Sequence, residues 1–152
     1  MDVGGYMTEE HKYELTSRFV SDKIVSIRIA GKPEFEVATP PDFWEESPEG
    51  ILSPEDLFLA SAVSCYGVSL SGVSKKYRAE FHSFDISVEG HLKQGEYGWE
   101  FAEMTINATI TVPTAKDKKK MEKAADRAHR YCVVSNSMSC PVHLNAEIVV
   151  VE

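Results

Sequence analysis

Three cysteines are the residues of this chain whose type and spacing could do chemistry. Cys65 lies in a run of small and apolar residues, and Cys132 and Cys140 lie where a charged helical pattern gives way to an apolar strand pattern. Thiols on the buried faces of two helices can form a redox pair if their Cα atoms come within about 4.4–6.8 Å. A free cysteine is also often only a small buried apolar side chain. Both interpretations stay open.

A metal site is a third interpretation of the segment that holds the last two cysteines. His129 and Cys132 are three residues apart, and Cys140 and His143 repeat that spacing in reverse order. Two cysteines and two histidines are the ligand types that structural zinc prefers. However, seven residues separate the two cysteines, which is shorter than the loop of about 12–15 residues usual between such pairs. The spacing therefore favours zinc less than free thiols.

Composition bounds the class of protein. The chain has 152 residues, 43% apolar and 26% charged, with a formal net charge of −8, which is typical of one globular domain over 1–152. The negative charge disfavours nucleic acid and anionic lipid as partners. The first residues have neither a basic nor an apolar export pattern, so we expect a cytoplasmic protein. Three cysteines are too few for a disulfide framework in a reducing compartment. The sequence has no phosphate-binding glycine loop, so we expect no cofactor.

Periodicity predicts an α+β domain with strands and helices in alternating groups. The predicted elements are a strand meander at about 11–39, a helix at about 54–77, a β-hairpin with a wide tip at about 82–112, a helix at about 114–133 and a final strand at about 143–151.

The first predicted helix carries Cys65 in its middle. Ser53 is the expected N-cap, followed by Pro54 and by the carboxylates of Glu55 and Asp56, which the helix dipole favours in the first turn. At 100° per residue the helix has two stripes. One stripe consists of Leu59, Val63, Tyr66, Leu70, Val73 and Tyr77, and the other of Leu57, Ser61, Cys65, Val68 and Gly72. We expect both stripes to be covered. The uncharged run of this helix is shorter than the roughly 20 apolar residues of a membrane span.

The second predicted helix begins at Thr114 as N-cap, with Asp117 three residues later. Its expected inner face consists of Met121, Ala124, Ala125, Ala128, Tyr131 and Cys132.

Two segments together resemble the OsmC/Ohr family, the osmotically inducible and organic hydroperoxide resistance proteins. The first is Ser53-Pro54-Glu55-Asp56-Leu57-Phe58 with Cys65 ten residues after the glutamate, and the second is Cys132-Val133-Val134-Ser135-Asn136-Ser137 before a last strand. The resemblance covers most of the chain. It implies an OsmC-like fold in which antiparallel β-sheets wrap around two long central helices of an intertwined homodimer.

The resemblance also implies a thiol peroxidase that reduces organic hydroperoxides and is recycled by an external dithiol reductant. By position, Cys65 is similar to the peroxidatic cysteine and Cys132 to the resolving cysteine. Glu55 is similar to the carboxylate that positions an activating arginine, although a first-turn carboxylate also stabilises a helix by itself. Cys140 has no implied role.

The chain departs from the family pattern at two places. Val133 stands where the family often has proline, and the loop with Phe43-Trp44-Glu45-Glu46 contains no arginine. The cations of the first strands are Arg18, Lys23, Arg28 and Lys32; the two arginines are expected to face outward. A thiol without a neighbouring cation is a weaker nucleophile. The alternative function is therefore a non-catalytic dimeric binding or scaffold protein, and a zinc-stapled domain is a further one.

An apolar environment is expected around Cys65. The residues that would form it are Leu57, Phe58, Val68, Phe43 and Trp44. Because an apolar pocket gains from burying an apolar tail, we expect organic peroxides to be preferred over hydrogen peroxide.

Overall fold

The structure is a computed structural model that describes residues 9–152. The chain divides into two compact units, one up to Glu55 and one from Asp56 onward, and each is described by itself. The single domain expected over 1–152 therefore stays a prediction. Part of the N-terminal stretch that lacks an export pattern, residues 1–8, lies outside the described residues.

The first unit contains the predicted meander. β1 (Thr16–Ser21), β2 (Ile24–Arg28) and β3 (Phe35–Ala38) form an antiparallel sheet in that order. The loop that follows returns to this sheet, since Ala38 N–H donates to the Leu52 carbonyl at 2.9 Å and Val37 bridges Leu52. The proline-rich segment between Ala38 and Leu52 is thus a surface loop whose end is hydrogen-bonded to the sheet.

The second unit contains the remaining elements. They are α1 (Pro54–Lys76, which begins two residues before the unit boundary), β4 (Ser83–Gly95), β5 (Gly98–Val112), α2 (Ala115–Arg130), α3 (Val133–Asn136) and β6 (Val142–Val150). The strands form a sheet in the order β4-β5-β6. The α+β class is confirmed.

The tip of the hairpin is tight, in contrast to the wide tip expected. Gly95 pairs with Gly98, which leaves a two-residue connection, and Gly98 has φ +118, a conformation that side chains with a Cβ rarely adopt. The pairing of β4 with β5 therefore continues up to this two-residue turn.

The expectation of purely antiparallel sheets needs correction, because β6 runs parallel to β5. The chain leaves the end of β5, passes through α2 and α3, and returns to the level of Met104 in β5 before forming β6. A helical crossover of this kind is what parallel neighbours require. The second sheet is therefore mixed.

The core of the second unit lies where α1, the sheet and α2 meet. Alternate residues of β5 are buried, as period 2 requires for a strand with one covered face. The buried residues are Met104, Ile106, Ala108, Ile110 and Val112 from β5, Tyr66 and Leu70 from α1, and Met121, Ala124, Ala125 and Ala128 from α2. This core holds α1 and α2 in fixed positions.

The two faces of α1 differ in burial. Tyr66 and Leu70 are buried as expected, whereas Val68 on the other stripe is 72% exposed, so the expectation that both stripes are covered is not met within the described chain. By length and composition α1 could cross a membrane, and 22% of its apolar stretch is buried. This differs from the expectation for its uncharged run, although core helices of soluble proteins meet the same criterion.

The start of α2 is as predicted and its end is not. Thr114 Oγ1 accepts a hydrogen bond from Asp117 N–H at 3.0 Å and donates to the Asp117 carboxylate at 2.6 Å. The helix ends at Arg130 rather than near Val133, and Tyr131, expected on the inner face, is 60% exposed. The break places Cys132 outside the helix.

Candidate active site

The site centres on the sulfur atoms of Cys65 and Cys132. Cys65 lies in the middle of α1 and is partly exposed, and Cys132 lies between α2 and α3 and is fully buried. The Cys65 side chain interacts with the Cys132 thiol and contributes to lowering its pKa. Both cysteines are free thiols. The structure thus brings together the two thiols that the sequence singled out; their catalytic roles stay predictions.

Cys132 owes its position to the break between two helices. After α2 ends, Cys132 N–H donates to the His129 carbonyl at 3.3 Å, and the Cys132 carbonyl accepts from Asn136 N–H at 3.0 Å. Its φ of −69° and ψ of 114° are those of an N-cap residue. The Cys132 side chain lies beside the first turn of α3 and forms no cap hydrogen bond with it.

The surroundings of Cys132 favour its thiolate. Burial raises the pKa of this thiol, but donors from the Ser135 side chain and backbone, the Cys65 thiol and the Val134 backbone together lower the pKa below its ordinary value of 9.0. Donors that contact a charged sulfur stabilise the charge. Among the interactions that lower this pKa, the largest are hydrogen bonds and not the charge of a cation.

Ser135 is a site residue that the sequence interpretation missed. Its hydroxyl oxygen is buried and no described residue partners it with standard hydrogen-bond geometry, although it interacts with the Cys132 sulfur. The spacing Cys-x-x-Ser was the available signal, because an N-cap side chain and the residue three positions later face one another.

Tyr66 and His129 border the thiol pair on the core side. The Tyr66 hydroxyl donates to the Ala125 carbonyl at 3.3 Å, and the two rings meet edge to face with centroids 6.4 Å apart. Burial, followed by the negative charges of Asp126 and Cys132, raises the pKa of Tyr66 to about 12. His129 Nδ1 is buried without a hydrogen-bond partner among residues 9–152.

Glu55 belongs to the first unit as the second residue of α1. Its Oε1 atom is buried and has no hydrogen-bond partner in the described part of the chain. A buried carboxylate oxygen without a donor is costly unless a cation or donor reaches it. Its role in positioning an arginine stays a prediction.

The arginines of the first unit are exposed and one of them is paired, as expected for outward-facing strand residues. Arg28 forms an ion pair with Glu34 at 3.1 Å. A hydrogen bond from Ser26, the contacts with Arg28 and the charge of Arg18 hold the pKa of Glu34 below its ordinary value. Arg28 thus already has a carboxylate partner.

The four residues considered for zinc do not form a metal site. Within residues 9–152 there is no group of three histidine, cysteine or acidic side chains placed to hold a metal ion. His143 instead contacts Glu103 at 3.2 Å on the exposed sheet surface, and Cys140 is partly exposed before β6. The zinc-stapled alternative has no support in this geometry.

Apolar rings lie along the face of α1 that carries Cys65. Phe58 is two turns before Cys65 on the same face, and it stacks on Phe101 with ring centroids 5.0 Å apart. Val68, also expected in the apolar environment, is largely exposed.

Comparison with known families places this chain in one group of proteins. The family model described as OsmC-like protein matches residues 47–147, a stretch that includes Cys65 and Cys132. The chain belongs to the OsmC-like family. The sequence resemblance to OsmC/Ohr proteins is confirmed, and the mixed α+β architecture with two sheets is that of OsmC-like folds.

Solved OsmC-like structures share the fold at low sequence identity. An OsmC-like protein of unknown function from Vibrio cholerae superposes with a TM-score of 0.79 at 17% identity, over 90% of this chain and 99% of that one. An organic hydroperoxide resistance protein from Elizabethkingia anophelis has a TM-score of 0.72 at 21% identity, over 95% and 100%. One from Legionella pneumophila has a TM-score of 0.71 at 20% identity, over 93% and 100%.

A curated relative of this OsmC-like chain is an uncharacterised protein of Methanocaldococcus jannaschii. The two are 28% identical over 94 residues, which is 62% of this chain and 48% of the relative. The chain thus spans about half the length of the curated relative that it matches.

Proposed function

We propose that this OsmC-like chain is a thiol peroxidase that reduces organic hydroperoxides with Cys65 and Cys132. The interaction of the Cys65 side chain with the Cys132 thiol carries the proposal, because a disulfide requires two cysteines that lie close together. The names of several structural neighbours, which call those proteins organic hydroperoxide resistance proteins, agree with this chemistry.

The partly exposed Cys65 is the peroxidatic cysteine. Its thiolate attacks the distal oxygen of the hydroperoxide, the O–O bond breaks, and an alcohol leaves after protonation. The sulfenic acid formed on Cys65 then condenses with the buried Cys132 to a disulfide and water. An external dithiol in the cytoplasm reduces this disulfide by thiol–disulfide exchange.

Two further features support the reaction. The stacked rings of Phe58 and Phe101 lie on the Cys65 side of α1, which favours a peroxide with an apolar tail over hydrogen peroxide. The buried Glu55 Oε1 atom lacks a donor within residues 9–152, which is consistent with a carboxylate that positions a cation.

The protein works as a homodimer in this proposal. α1 carries an exposed apolar side chain at Val68 beside its small residues. Small residues on a helix allow the close approach of a second helix. A second copy that covers this face would also explain why both stripes of α1 have apolar character.

Oxidation of the reduced protein by cumene hydroperoxide tests the reaction. We expect each chain to lose two hydrogens and two free thiols, as measured by intact mass and thiol titration, and hydrogen peroxide to react more slowly. Cys65→Ser and Cys132→Ser should each abolish the disulfide, whereas Cys140→Ser, the matched control, should leave it unchanged.

Each alternative has its own result in this experiment. Unchanged thiols in a protein with no bound metal would show a dimeric binding or scaffold protein. Unchanged thiols with one zinc ion per chain would show a zinc-stapled domain. Disulfide formation that persists in Cys65→Ser would refute the assignment of this cysteine.

A further inference from the structure

The helix α2 carries a large share of the positive charge of the chain. Seven of the 16 lysines and arginines lie in Ala115–Arg130, with only three of the 24 acidic residues. The helix is therefore positively charged, whereas the whole chain has a formal charge of −8. A local group of one charge gathers ions of the opposite sign. The exposed surface of α2 thus attracts anions, although the protein as a whole repels them.

A basic cavity of about 210 Å³ opens between the end of α1 and the second half of α2. It is lined by Tyr77, Lys123, Asp126, Arg127, Arg130 and Tyr131. Lys123, Arg127 and Arg130 follow one another at intervals of four and three residues, so they share one face of the helix. Three cations and one carboxylate therefore meet in one small cavity, together with two tyrosines.

The three cations of the basic cavity differ in their partners. Arg130 Nη2 contacts Asp126 Oδ2 at 3.1 Å. The Arg127 guanidinium lies over the Tyr131 ring, with 4.6 Å between Cζ and the ring centroid. Neither Arg127 nor Lys123 forms an ion pair with a carboxylate among residues 9–152. Two positive charges of the cavity are thus uncompensated in the described part of the chain.

The stability of α2 does not account for this arrangement. Cations in the last turn of a helix interact favourably with its dipole, which is a sufficient reason for Arg127 and Arg130. Lys123 lies about two turns before the end of the helix, where this effect has faded. Lys119, Lys123 and Arg127 also stand four residues apart in succession, and like charges at that spacing destabilise a helix. A bound anion would remove this repulsion.

We propose that the basic cavity binds a small organic phosphate, a phosphate monoester whose head group contacts Lys123 and Arg127. A phosphate monoester has a charge of about −1.5 to −2 at pH 7, which matches two unpaired cations, whereas a carboxylate brings one charge. A guanidinium can donate two parallel hydrogen bonds to phosphate oxygens. Since Arg127 is already held over the Tyr131 ring, its side chain loses less freedom when the ligand binds.

The size and lining of the basic cavity limit the organic part of the ligand. The volume is below the roughly 300–1,000 Å³ of sites for drug-sized ligands, so the group attached to the phosphate is small. Tyr77 is partly buried at the end of α1 and offers an aromatic wall to a flat or apolar group. The proposal does not depend on the peroxidase function, because neither Cys65 nor Cys132 lines the cavity.

Titration of the reduced, ¹⁵N-labelled chain with phenyl phosphate tests the proposal. Binding is followed in ¹H–¹⁵N correlation spectra of the backbone amides and the arginine Nε–H groups. We expect saturable shifts centred on Lys123 and Arg127, with a Kd of about 1 mM or below, as a few charge-assisted hydrogen bonds allow. The absence of saturation with phenyl phosphate would overturn the proposal and leave the peroxidase function untouched.

Matched variants separate a defined site from a general attraction of anions. Lys123→Gln and Arg127→Gln should each weaken binding about tenfold or more, through the loss of a charge-assisted hydrogen bond. Lys118→Gln makes the same change of charge on an exposed lysine of α2 outside the cavity. It should change the Kd less than about twofold at about 0.15 M salt, because surface charges away from the ligand are screened. Equal weakening in all three variants would overturn the site.

The carboxylate of the basic cavity provides a test with the opposite sign. Asp126→Asn removes a negative charge beside the ligand and frees Arg130 from its ion pair, so phenyl phosphate should bind more tightly. Unchanged or weaker binding would contradict the proposed position of the phosphate. All four substituted side chains are exposed, and the spectra of the free variants show whether each one is folded.

Two further ligands decide the chemistry that the basic cavity recognises. Benzoate keeps the ring but has one negative charge, and inorganic phosphate keeps the charge but lacks the ring. Both should shift the same signals and bind more weakly than phenyl phosphate. Equal affinity for benzoate would overturn the preference for a dianion. Equal affinity for inorganic phosphate would assign the cavity to free phosphate and overturn the proposal of an ester.

Discussion

Tyr66 joins the core of the second unit to the thiol pair, and replacing it by phenylalanine separates the contribution of its ring from that of its hydroxyl. The ring is fully buried, and Tyr66→Phe keeps it. The hydroxyl donates to the Ala125 carbonyl at 3.3 Å. That carbonyl lies within α2 and keeps the helical bond from the N–H four residues later, so the substitution leaves no buried acceptor without a partner.

The expected cost of Tyr66→Phe at pH 7 is small. A neutral hydrogen bond contributes about 0.5–1.5 kcal/mol, and the long distance here places this one at about 0.5–1 kcal/mol. Tyr66→Ala, which also removes the ring, should cost about 3–5 kcal/mol, as for a large buried aromatic side chain.

The sign of the effect reverses at high pH. Burial, with the charges of Asp126 and Cys132, raises the pKa of Tyr66 from 10.0 to about 12 in the folded state. The unfolded chain therefore releases this proton first, and the stability that the neutral phenol provides is present below pH 10 and is lost as the pH rises toward 12. At pH 11 the loss is about 1.4 kcal/mol. Tyr66→Phe escapes it and should exceed the native protein in stability by about 0.4–0.9 kcal/mol.

Urea unfolding of the reduced proteins at pH 7, 9 and 11, followed by circular dichroism, measures these differences. Tyr97→Phe is the matched control, because Tyr97 is 96% exposed and its substitution should change neither the stability nor its pH dependence. If Tyr66→Phe stays less stable than the native protein at pH 11 by the same amount as at pH 7, the reasoning about the buried phenol is wrong.

Three further perturbations test the core, the cap of α2 and the exposed face of α1. Ile110→Ala should lower the free energy of unfolding by about 2–5 kcal/mol, because Ile110 is fully buried. Thr109→Ala, at the exposed neighbouring position, should change the free energy of unfolding by less than about 0.5 kcal/mol. Equal effects of the two substitutions would contradict the assigned core. Thr114→Ala should cost about 1 kcal/mol at pH 7 through loss of the N-cap. Hydrogen bonds from Thr114 and the Glu80 backbone hold the pKa of Asp117 below 3.8, so this stability is present above about pH 4 and is lost as the pH falls further. The free energy of unfolding of Thr114→Ala should therefore fall less steeply with decreasing pH than that of the native protein. A parallel curve would count against the cap. Val68→Glu should convert a dimer into monomers in sedimentation velocity, and an unchanged sedimentation coefficient would exclude this face of α1 as the interface.

Much of the architecture could be predicted from local sequence patterns. The Thr114 cap, the alternation along β5 and the Pro54 helix start each depend on residues close together in the chain, so the element order followed from the sequence. The direction of β6 did not, because parallel pairing is decided by where the α2–α3 crossover returns the chain. The end of α2 was also misplaced, since no glycine or proline marks it between Arg130 and Val133.

The sequence by itself determined which thiols to consider and which family the chain belongs to, because residue types and spacings are properties of the chain alone. Only the tertiary structure decided that the side chains of Cys65 and Ser135 interact with Cys132 and that Cys132 is the more buried of the two cysteines. The physical reason is that hydrogen bonding and burial depend on distances of a few ångström between segments 67 residues apart. Those distances are set by the packing of α1 against α2 and by the break after Arg130.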